Sequence, residues 1–306
     1  MRALNIRCRK HLCLLLGTSE RELRFLCERP ELHYYRKDRI KSGKTRQTAT
    51  PVGRLRILQE RFLRHLQKIE LPPEVHGARK GRSYITNACA HSRRKVVVKA
   101  DLSSFFPNVS DRRVLGALIA LGCSDDVART LTQLTTLDGC LPQGAPASGL
   151  LAVIAAVPLA KRLAGFARSM NATYTQYIDD ITISGASPVM GAAHGIRRIA
   201  EQEGFSVNEG KADILGPDVE HVITGVRVEH GVDAPSSAIA AARHRVDNLA
   251  RLNRTEVERE VLSIRGKIRQ ISYLNRGAGR SLGQRLRRRL ASLDLDCSPT
   301  VQPVVV

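Results

Sequence analysis

The sequence predicts an α+β protein in which an antiparallel sheet is followed by a bundle of helices. KVVVKA (95–100) is a β-branched run typical of a buried strand, and TYTQYIDDITIS (173–184) has the pattern of a hairpin. After Pro235 the pattern becomes helical, behind a predicted capping box at Thr255–Glu258. Apolar residues then recur at intervals of four and three along one helix face: Val257, Val261, Ile264, Ile268 and Ile271.

The net charge indicates a polyanionic partner. The 306 residues carry a formal charge of +20. Residues 1–100 contain 25 basic and 8 acidic side chains, residues 101–250 contain 12 and 16, and residues 251–306 contain 12 and 5. Two basic flanks around a slightly acidic centre suit a nucleic acid held beside a site that needs carboxylates. The alternative is a basic surface that is merely solvated.

Cysteine usage and hydropathy indicate a cytoplasmic protein without a membrane span. The seven cysteines form no CxxC pair and their number is odd, which favours reduced thiols. The apolar runs LCLLL and 149–160 are both too short to cross a bilayer. Pro158 predicts a kink or break in the second run. A zinc site is an alternative for four N-terminal residues, although their spacing matches no usual pattern: Cys8, His11, Cys13 and Cys27.

Several loops and turns separate these elements. Residues 33–51 (HYYRKDRIKSGKTRQTATP) are basic and predict short β-like pieces around a turn at Ser42-Gly43. GARKGR (77–82) is a second basic loop, and residues 140–148 form a third loop. Ser110 is a predicted N-cap for a helix that begins at the following residue.

Three aspartates indicate a metal site. Asp179 and Asp180 lie in an apolar run, where burying a carboxylate is costly unless a partner compensates. Asp101 follows the strand at 95–100, so two neighbouring strands could present three carboxylates to one point. Such oxygen ligands suit Mg²⁺. Two ions about 4 Å apart can activate a hydroxyl and stabilise a leaving pyrophosphate. The pattern therefore predicts polymerase chemistry, although an Asp-Asp pair alone is common at turns.

Sequence blocks covering most of the chain resemble the reverse transcriptases. They occur in the order and spacing of that family's fingers, palm and thumb: VHGARKGRSYITNA, VKADLSSFFPNV, LPQGAPASG, YIDD, GFSVNEGKADIL and VITGVRV. NACAH (87–91) is similar to the NAxxH signature of bacterial retron reverse transcriptases, and ITG (223–225) lies where these enzymes usually have VTG. YIDD stands in place of their more frequent YADD, a change that keeps every polar ligand.

The resemblance implies a right-hand polymerase. Residues 1–100 would form N-terminal helices and basic fingers with early palm elements, residues 101–234 an antiparallel-sheet palm with the catalytic carboxylates, and residues 235–306 a C-terminal helical thumb. The implied function is two-metal copying of a cognate structured non-coding RNA into single-stranded, branched RNA-linked DNA from dNTPs. The implied setting is anti-phage defence with a separate effector protein. Alternatives are a group II intron-like or stand-alone defence reverse transcriptase, an RNA-dependent RNA polymerase, and a catalytically inactive RNA-binding scaffold.

The resemblance also implies roles at the catalytic centre. Asp101 and Asp179 are similar to the family's principal ligands of two Mg²⁺ ions. Asp180 is the weaker candidate because adjacent strand residues face opposite ways. Phe106 matches the steric gate that selects deoxynucleotides, with core packing as its alternative. Lys211 matches a lysine thought to protonate the leaving pyrophosphate, or it is a surface lysine.

The implied substrate contacts surround this centre. Gln143 and Gly144 match the loop beside the incoming nucleotide. Lys44 and Arg46 are candidates to hold the triphosphate, and the choice among these two and Lys41 is open. The alternative for each is a loop charge that is merely solvated. Two further residues, Asn87 and His91, are predicted to shape an RNA contact or to form side-chain hydrogen bonds within the loop. The last helix is predicted to recognise a structured RNA through Arg285, Arg287, Arg288 and Arg289.

Overall fold

The N-terminal part of the chain is helical around one β-hairpin. The computed structural model describes residues 4–41, 44–186, 189, 191–208 and 213–293, without the side chains of residues 39–46. The α-helices and strands of this N-terminal part are α1 (Arg9–Leu16), α2 (Glu20–Glu28), β1 (Tyr34–Lys41), β2 (Lys44–Pro51), α3 (Gly53–Leu66) and α4 (Tyr84–Cys89), with a 3-10 helix at Pro30–His33. The strands β1 and β2 pair antiparallel, which confirms the β-like pieces predicted on either side of the Ser42-Gly43 turn.

A four-stranded antiparallel sheet lies at the centre of the first unit. Its elements and the helices around it are β3 (Val96–Asp101), α5 (Phe105–Asn108), α6 (Asp111–Ala120), α7 (Asp125–Thr135), α8 (Ser148–Ala155), α9 (Val157–Ser169), β4 (Thr173–Tyr177), β5 (Asp180–Gly185), α10 (Ala192–Gln202) and β6 (Asp213–Leu215). The strand order is β4-β5-β3-β6. Val96, Val97 and Val98 are at most 1% exposed, so β3 is the buried strand that its β-branched run predicts.

Two helix boundaries follow the sequence prediction. The long apolar run breaks at Ala156 between α8 and α9, whose axes differ by 54°. Pro158 lies in the first turn of α9, where its missing N–H costs no helical hydrogen bond. The Arg113 N–H donates to Ser110 Oγ at 3.4 Å, as expected of the predicted N-cap.

The same pair of helices is the one part of the described chain with a membrane-like composition. No individual helix among the described residues combines the length and the apolar character that a bilayer crossing needs. The two helices α8 and α9 meet both requirements only when they are taken together.

The second unit begins at Glu220, after a first unit that ends at Val219. Its described elements are β7 (Val222–Ile223), β8 (Val226–Arg227), α11 (Ser236–Asn248), α12 (Arg254–Leu274) and α13 (Arg276–Ala291). The five apolar residues predicted to share one face of α12 are all buried. The observed elements confirm the α+β class, while the division into three domains stays a prediction.

The capping box predicted at Thr255–Glu258 is wrong. The observed box begins two residues earlier, where Asn253 Oδ1 accepts from the Glu256 N–H and Glu256 Oε2 accepts from the Asn253 N–H, both at 3.0 Å. Asparagine is as good an N-cap as serine and better than threonine, so the competing box starts the helix first.

A basic loop packs closely against the central hairpin. The His76 N–H donates to the carbonyl oxygen of Gln176 at 2.8 Å, and Val75 forms a parallel bridge with the same residue. A Cβ on Gly77 would lie 2.2 Å from the backbone nitrogen of Ile178. Glycine is therefore required where the GARKGR loop meets the turn between β4 and β5.

Replacing Gly77 by alanine tests this contact. We expect Gly77→Ala to lower the free energy of unfolding by about 3 kcal/mol, because backbone rather than a flexible side chain must move. The measurement is urea unfolding at pH 7. Gly116→Ala is the control, because Gly116 is an exposed residue inside α6 with no atom within 4 Å of the added Cβ. That substitution should stabilise the protein by about 0.5–1 kcal/mol. Equal effects of the two substitutions would contradict the required close approach.

Candidate active site

Three carboxylates converge at the end of the central sheet. Asp101 is the last residue of β3 and lies directly opposite Asp180, the first residue of β5. The Leu102 N–H donates to the carbonyl oxygen of Asp179 at 3.0 Å. Each aspartate offers a carboxylate oxygen, and these atoms all lie within 4.8 Å of one another. The predicted meeting of three carboxylates from two strands is confirmed. Asp180 is the most exposed of the three but belongs to the same cluster.

A strained turn sets the position of Asp179. Ile178 has a φ of +60°, a left-handed conformation that a β-branched residue rarely adopts. The Gln176 side-chain amide donates to the carbonyl oxygen of Ile178 at 2.8 Å, and the Tyr174 hydroxyl donates to Gln176 Oε1 at 3.0 Å. Gln176 and Tyr174 are buried. Two buried polar side chains therefore hold the turn in the conformation that brings Asp179 beside Asp101.

The donor set fits a divalent cation. Three carboxylates within 4.8 Å repel one another, and a doubly charged ion between them offsets that repulsion. Carboxylate oxygens are the ligands preferred by hard cations such as Mg²⁺ and Ca²⁺. The residues at the end of β3 and the start of β5 could therefore hold a metal.

The carboxylates open into a cleft of about 850 Å³. Asp101 and Asp179 line it together with Phe106 and Gln143, so four of the predicted site residues share one cavity. Phe106 is half-buried and meets the ring of Phe105 edge to face, with 5.8 Å between centroids. Phe105 is the fully buried ring of the pair, whereas Phe106 presents surface to the cleft.

The loop before α8 is held against the β1–β2 hairpin. The Ala49 N–H donates to the carbonyl oxygen of Gln143 at 2.7 Å. Gly144 has a φ of +109°, and a Cβ there would lie 3.1 Å from the Thr50 hydroxyl oxygen. The backbone conformation therefore favours glycine here, and the two segments approach each other closely at this residue.

The described part of the chain does not extend to four basic side chains that were candidates for substrate contacts. Lys44 and Arg46 lie in β2, but their side chains, like that of Lys41, are outside the described residues. Lys211 is also outside them. Their predicted roles stay predictions.

The RNA contact predicted for Asn87 and His91 is not supported by their positions. Both side chains are 0% exposed. His91 Nδ1 lies 2.6 Å from Ser184 Oγ and its Nε2 lies 2.7 Å from Thr175 Oγ1. A neutral imidazole can donate one of these hydrogen bonds and accept the other. For His91 the alternative of a side-chain hydrogen bond is therefore closer to the structure, but it joins His91 to β4 and β5 rather than to its own loop. The Oδ1 and Nδ2 atoms of Asn87 are buried without a hydrogen-bond partner among the described residues.

The arginines of α13 have different surroundings. Arg285 forms two hydrogen bonds to the Asp247 carboxylate of α11, at 2.6 and 2.9 Å. Arg287 and Arg288 are exposed and Arg289 is half-buried. Arg285 therefore has a structural partner inside the helical unit, a contact that the arginine-rich sequence alone does not reveal.

One residue beside the carboxylates was missed in the sequence. The Asn208 N–H donates to the carbonyl oxygen of Asp101 at 2.7 Å, and its side-chain amide lies 3.5 Å from Asp101 Oδ2. Asn208 also lines the cleft. The block GFSVNEGKADIL contains it, but nothing in the residues themselves separates Asn208 from its polar neighbours.

Known proteins place the chain in a family. Residues 35–234 match the family described as Reverse transcriptase (RNA-dependent DNA polymerase). This match covers more than half of the chain and contains the carboxylate cluster and the cleft. The chain therefore belongs to the reverse transcriptase family, and the predicted fold class is confirmed.

The similar proteins include enzymes named as retron reverse transcriptases. Retron Mx65 reverse transcriptase of Myxococcus xanthus is 35% identical over 81% of this chain and 63% of its own length. Retron Se72 reverse transcriptase of Salmonella heidelberg is 30% identical over 72% of this chain and 62% of its own length. A telomerase structure from Candida albicans aligns with a TM-score of 0.48 and 10% identity over 86% of this chain and 61% of that chain. The predicted resemblance to retron enzymes is confirmed, and the chain spans about three fifths of these curated relatives.

The buried imidazole of His91 makes stability depend on pH. Burial, with smaller contributions from the charges of His76 and Arg94, lowers the pKa of His91 to about 3. Its pKa in the unfolded chain is about 6.5, so between these values the unfolded state binds a proton that the folded state excludes. The folded state is therefore destabilised relative to the unfolded state as the pH falls below about 6.5. At pH 5 this lowers the free energy of unfolding by about 2 kcal/mol.

Urea unfolding at pH 7 and pH 5 measures this effect. Between pH 7 and pH 5, the free energy of unfolding of His91→Gln should fall by about 2 kcal/mol less than that of the wild type. This difference does not depend on the stability of the variant at pH 7. His194→Gln is the control, because His194 is exposed on α10 and should leave the pH dependence unchanged. An unaltered pH dependence in His91→Gln would show that the imidazole is not held neutral.

Proposed function

We propose that this chain is an RNA-directed DNA polymerase of the retron type. The observation that carries the proposal is the meeting of Asp101, Asp179 and Asp180 at one end of a cleft that Phe106 and Gln143 also line. Membership of the reverse transcriptase family supports the reaction class, and the similarity to retron enzymes supports the subtype.

The carboxylates would hold two Mg²⁺ ions. When bound, such ions favour ionisation of the attacking 3′-hydroxyl and stabilise charge on the leaving pyrophosphate. The protein's contribution is placement. The β3–β5 pairing holds Asp101 and Asp180 opposite each other, the turn at Ile178 directs Asp179 to them, and Asn208 contacts Asp101. Ligands fixed before the substrate arrives need no reorganisation during the reaction.

Residues around the cleft would select and hold the nucleotide. The ring of Phe106 would exclude a 2′-hydroxyl and so favour deoxynucleotides. Gln143 and Gly144 would lie beside the incoming dNTP, where the loop is already fixed against β2. Lys44 and Arg46 would neutralise the triphosphate. Lys211 would supply a proton to the pyrophosphate.

The template would be a cognate structured non-coding RNA. Basic side chains suit a phosphate-rich partner that is held mainly through its backbone. Arg287, Arg288 and Arg289 are the candidates on α13 to recognise that RNA, whereas Arg285 would also stabilise the bundle through Asp247. The product would be single-stranded DNA joined to the RNA, made in the cytoplasm during anti-phage defence with a separate effector protein.

The carboxylate cluster provides the direct test of activity. Asp179→Asn should lower extension of a DNA primer on an RNA template by at least about 1,000-fold, because one metal ligand loses its charge. The measurement is single-nucleotide extension with dNTPs and Mg²⁺. The control is Asp125→Asn, an exposed residue at the start of α7 that should keep full activity. Full activity in Asp179→Asn would contradict the role of Asp179 as a metal ligand. No activity in the wild type would favour the RNA-binding scaffold.

The retron subtype is tested in cells. The protein, expressed with its native upstream region, should yield a short DNA joined to RNA, and this species should be absent with Asp179→Asn. Replacing Arg287, Arg288 and Arg289 together by glutamine should lower the yield of this species at least about tenfold, while extension of a generic primed RNA stays near the wild-type rate. Arg285→Gln is tested separately, because it removes the ion pair with Asp247. An equal loss on the cognate and the generic RNA would contradict selective recognition.

A further inference from the structure

The cleft is lined by an ion pair that joins the β1–β2 hairpin to the loop after α7. Arg36 Nη1 lies 2.9 Å from Asp138 Oδ2, and Arg36 Nη2 donates to Asp138 Oδ1 at 3.0 Å. Both residues line the same cavity as the catalytic carboxylates. Two parallel contacts of this kind are the geometry by which a guanidinium binds either a carboxylate or a phosphate.

A tight turn presents the Asp138 carboxylate. Asp138 and Gly139 have φ values of +52° and +76° and form a two-residue connection between Leu137 and Cys140. The N–H of Leu137 donates to the carbonyl oxygen of Cys140 at 2.8 Å, and the reverse bond is 3.2 Å long. Positive φ at both central residues is the signature of a type I′ turn. The backbone that carries Asp138 is therefore well fixed.

The backbone that carries Arg36 is fixed as well. Arg36 lies opposite Ala49 in the β1–β2 pairing, and the Ala49 N–H donates to the carbonyl oxygen of Gln143. The two side chains are nonetheless 52% and 62% exposed, so water competes for both partners. Exposed ion pairs contribute little to stability. The guanidinium can thus exchange Asp138 for another anion without movement of the backbone.

The charge of the cleft favours such an exchange. Among its described lining side chains, the charged ones are Arg36, Asp101, Asp138 and Asp179. Asp101 and Asp179 belong to the metal cluster. The phosphates of nucleotides and nucleic acids are repelled by carboxylates, and those phosphates that no metal ion contacts need a cationic side chain. Within the part of the lining that the structure describes, Arg36 is the one cationic side chain, and its guanidinium is bonded to Asp138.

We propose that Arg36 is a phosphate-binding residue of the cleft and that Asp138 competes with the phosphate for its guanidinium. This inference rests on the proposed function, because it assumes that the cleft takes a nucleotide and a template. The phosphate belongs either to the incoming nucleotide or to a nucleic-acid backbone. In both cases Asp138 weakens binding, since the Arg36–Asp138 pair must open first. Removing Arg36 and removing Asp138 should therefore have opposite effects.

Equilibrium binding in the presence of Mg²⁺ tests the proposal without any need for turnover. One arm measures the Kd of a fluorescent RNA–DNA primer–template, and the other measures the Kd of dTTP from displacement of a labelled analogue. Arg36→Gln should raise one of the two Kd values about tenfold, the loss expected for a charge-assisted hydrogen bond. Asp138→Asn should lower the same Kd about threefold. The double variant should resemble Arg36→Gln, because Asp138 has no guanidinium to compete for once Arg36 is replaced.

The arm that responds identifies the phosphate. A change confined to the Kd of dTTP assigns Arg36 to the triphosphate. A change confined to the Kd of the primer–template assigns Arg36 to a phosphate of the nucleic-acid backbone. Arg129→Gln is the matched control, since Arg129 pairs with Asp125 on α7 with side chains 64% and 62% exposed and should leave both Kd values unchanged. The proposal is overturned if both single substitutions weaken binding equally, which a purely structural link would produce, or if neither changes it. A wild type that binds both ligands but makes no DNA would count against the proposed function alone.

Discussion

The register between β3 and β5 is the constraint on which the site depends. It places Asp101 directly opposite Asp180, at the edge where the sheet ends. Because side chains alternate along a strand, a slip of one residue would turn the carboxylates away from one another. Val96, Val97 and Val98 are all buried, so both faces of β3 are packed, and a slip would exchange the side chains on these two faces and disrupt their packing. Hydrophobic burial thus maintains the assembly of three mutually repelling charges.

Residues around the carboxylates hold the backbone in the conformation that this assembly requires. Ile178 adopts a left-handed conformation, and the buried Gln176 and Tyr174 maintain it. Gly77 gives the neighbouring loop room to cover the turn. On the other side of the cleft, the Ala49–Gln143 hydrogen bond holds the β1–β2 hairpin in place. The three carboxylates and the loops that line the cleft are therefore positioned before any ligand binds.

The sequence predicted the features that follow from local pattern. The buried strand before Asp101, the hairpin that carries Asp179 and the break near Pro158 each depend on residues close together in the chain. Features that depend on distant partners were missed or misread. His91 bonds to a hydroxyl 93 residues away, and Arg285 pairs with a carboxylate 38 residues away. Their polar residue types suggested an RNA contact for both and did not reveal these protein partners, because sequence pattern reports periodicity but not tertiary contacts.

We propose that Asp101, Asp179 and Asp180 bind the divalent metal ions used in DNA synthesis. Anomalous diffraction from crystals grown with Mn²⁺, a primed RNA template and a non-hydrolysable dNTP tests this most directly. Two Mn²⁺ peaks about 4 Å apart among the three carboxylates, with the triphosphate on one of them, are the predicted result. The claim is contradicted if the nucleotide is bound in the cleft and no Mn²⁺ lies within coordination distance of Asp101 and Asp179.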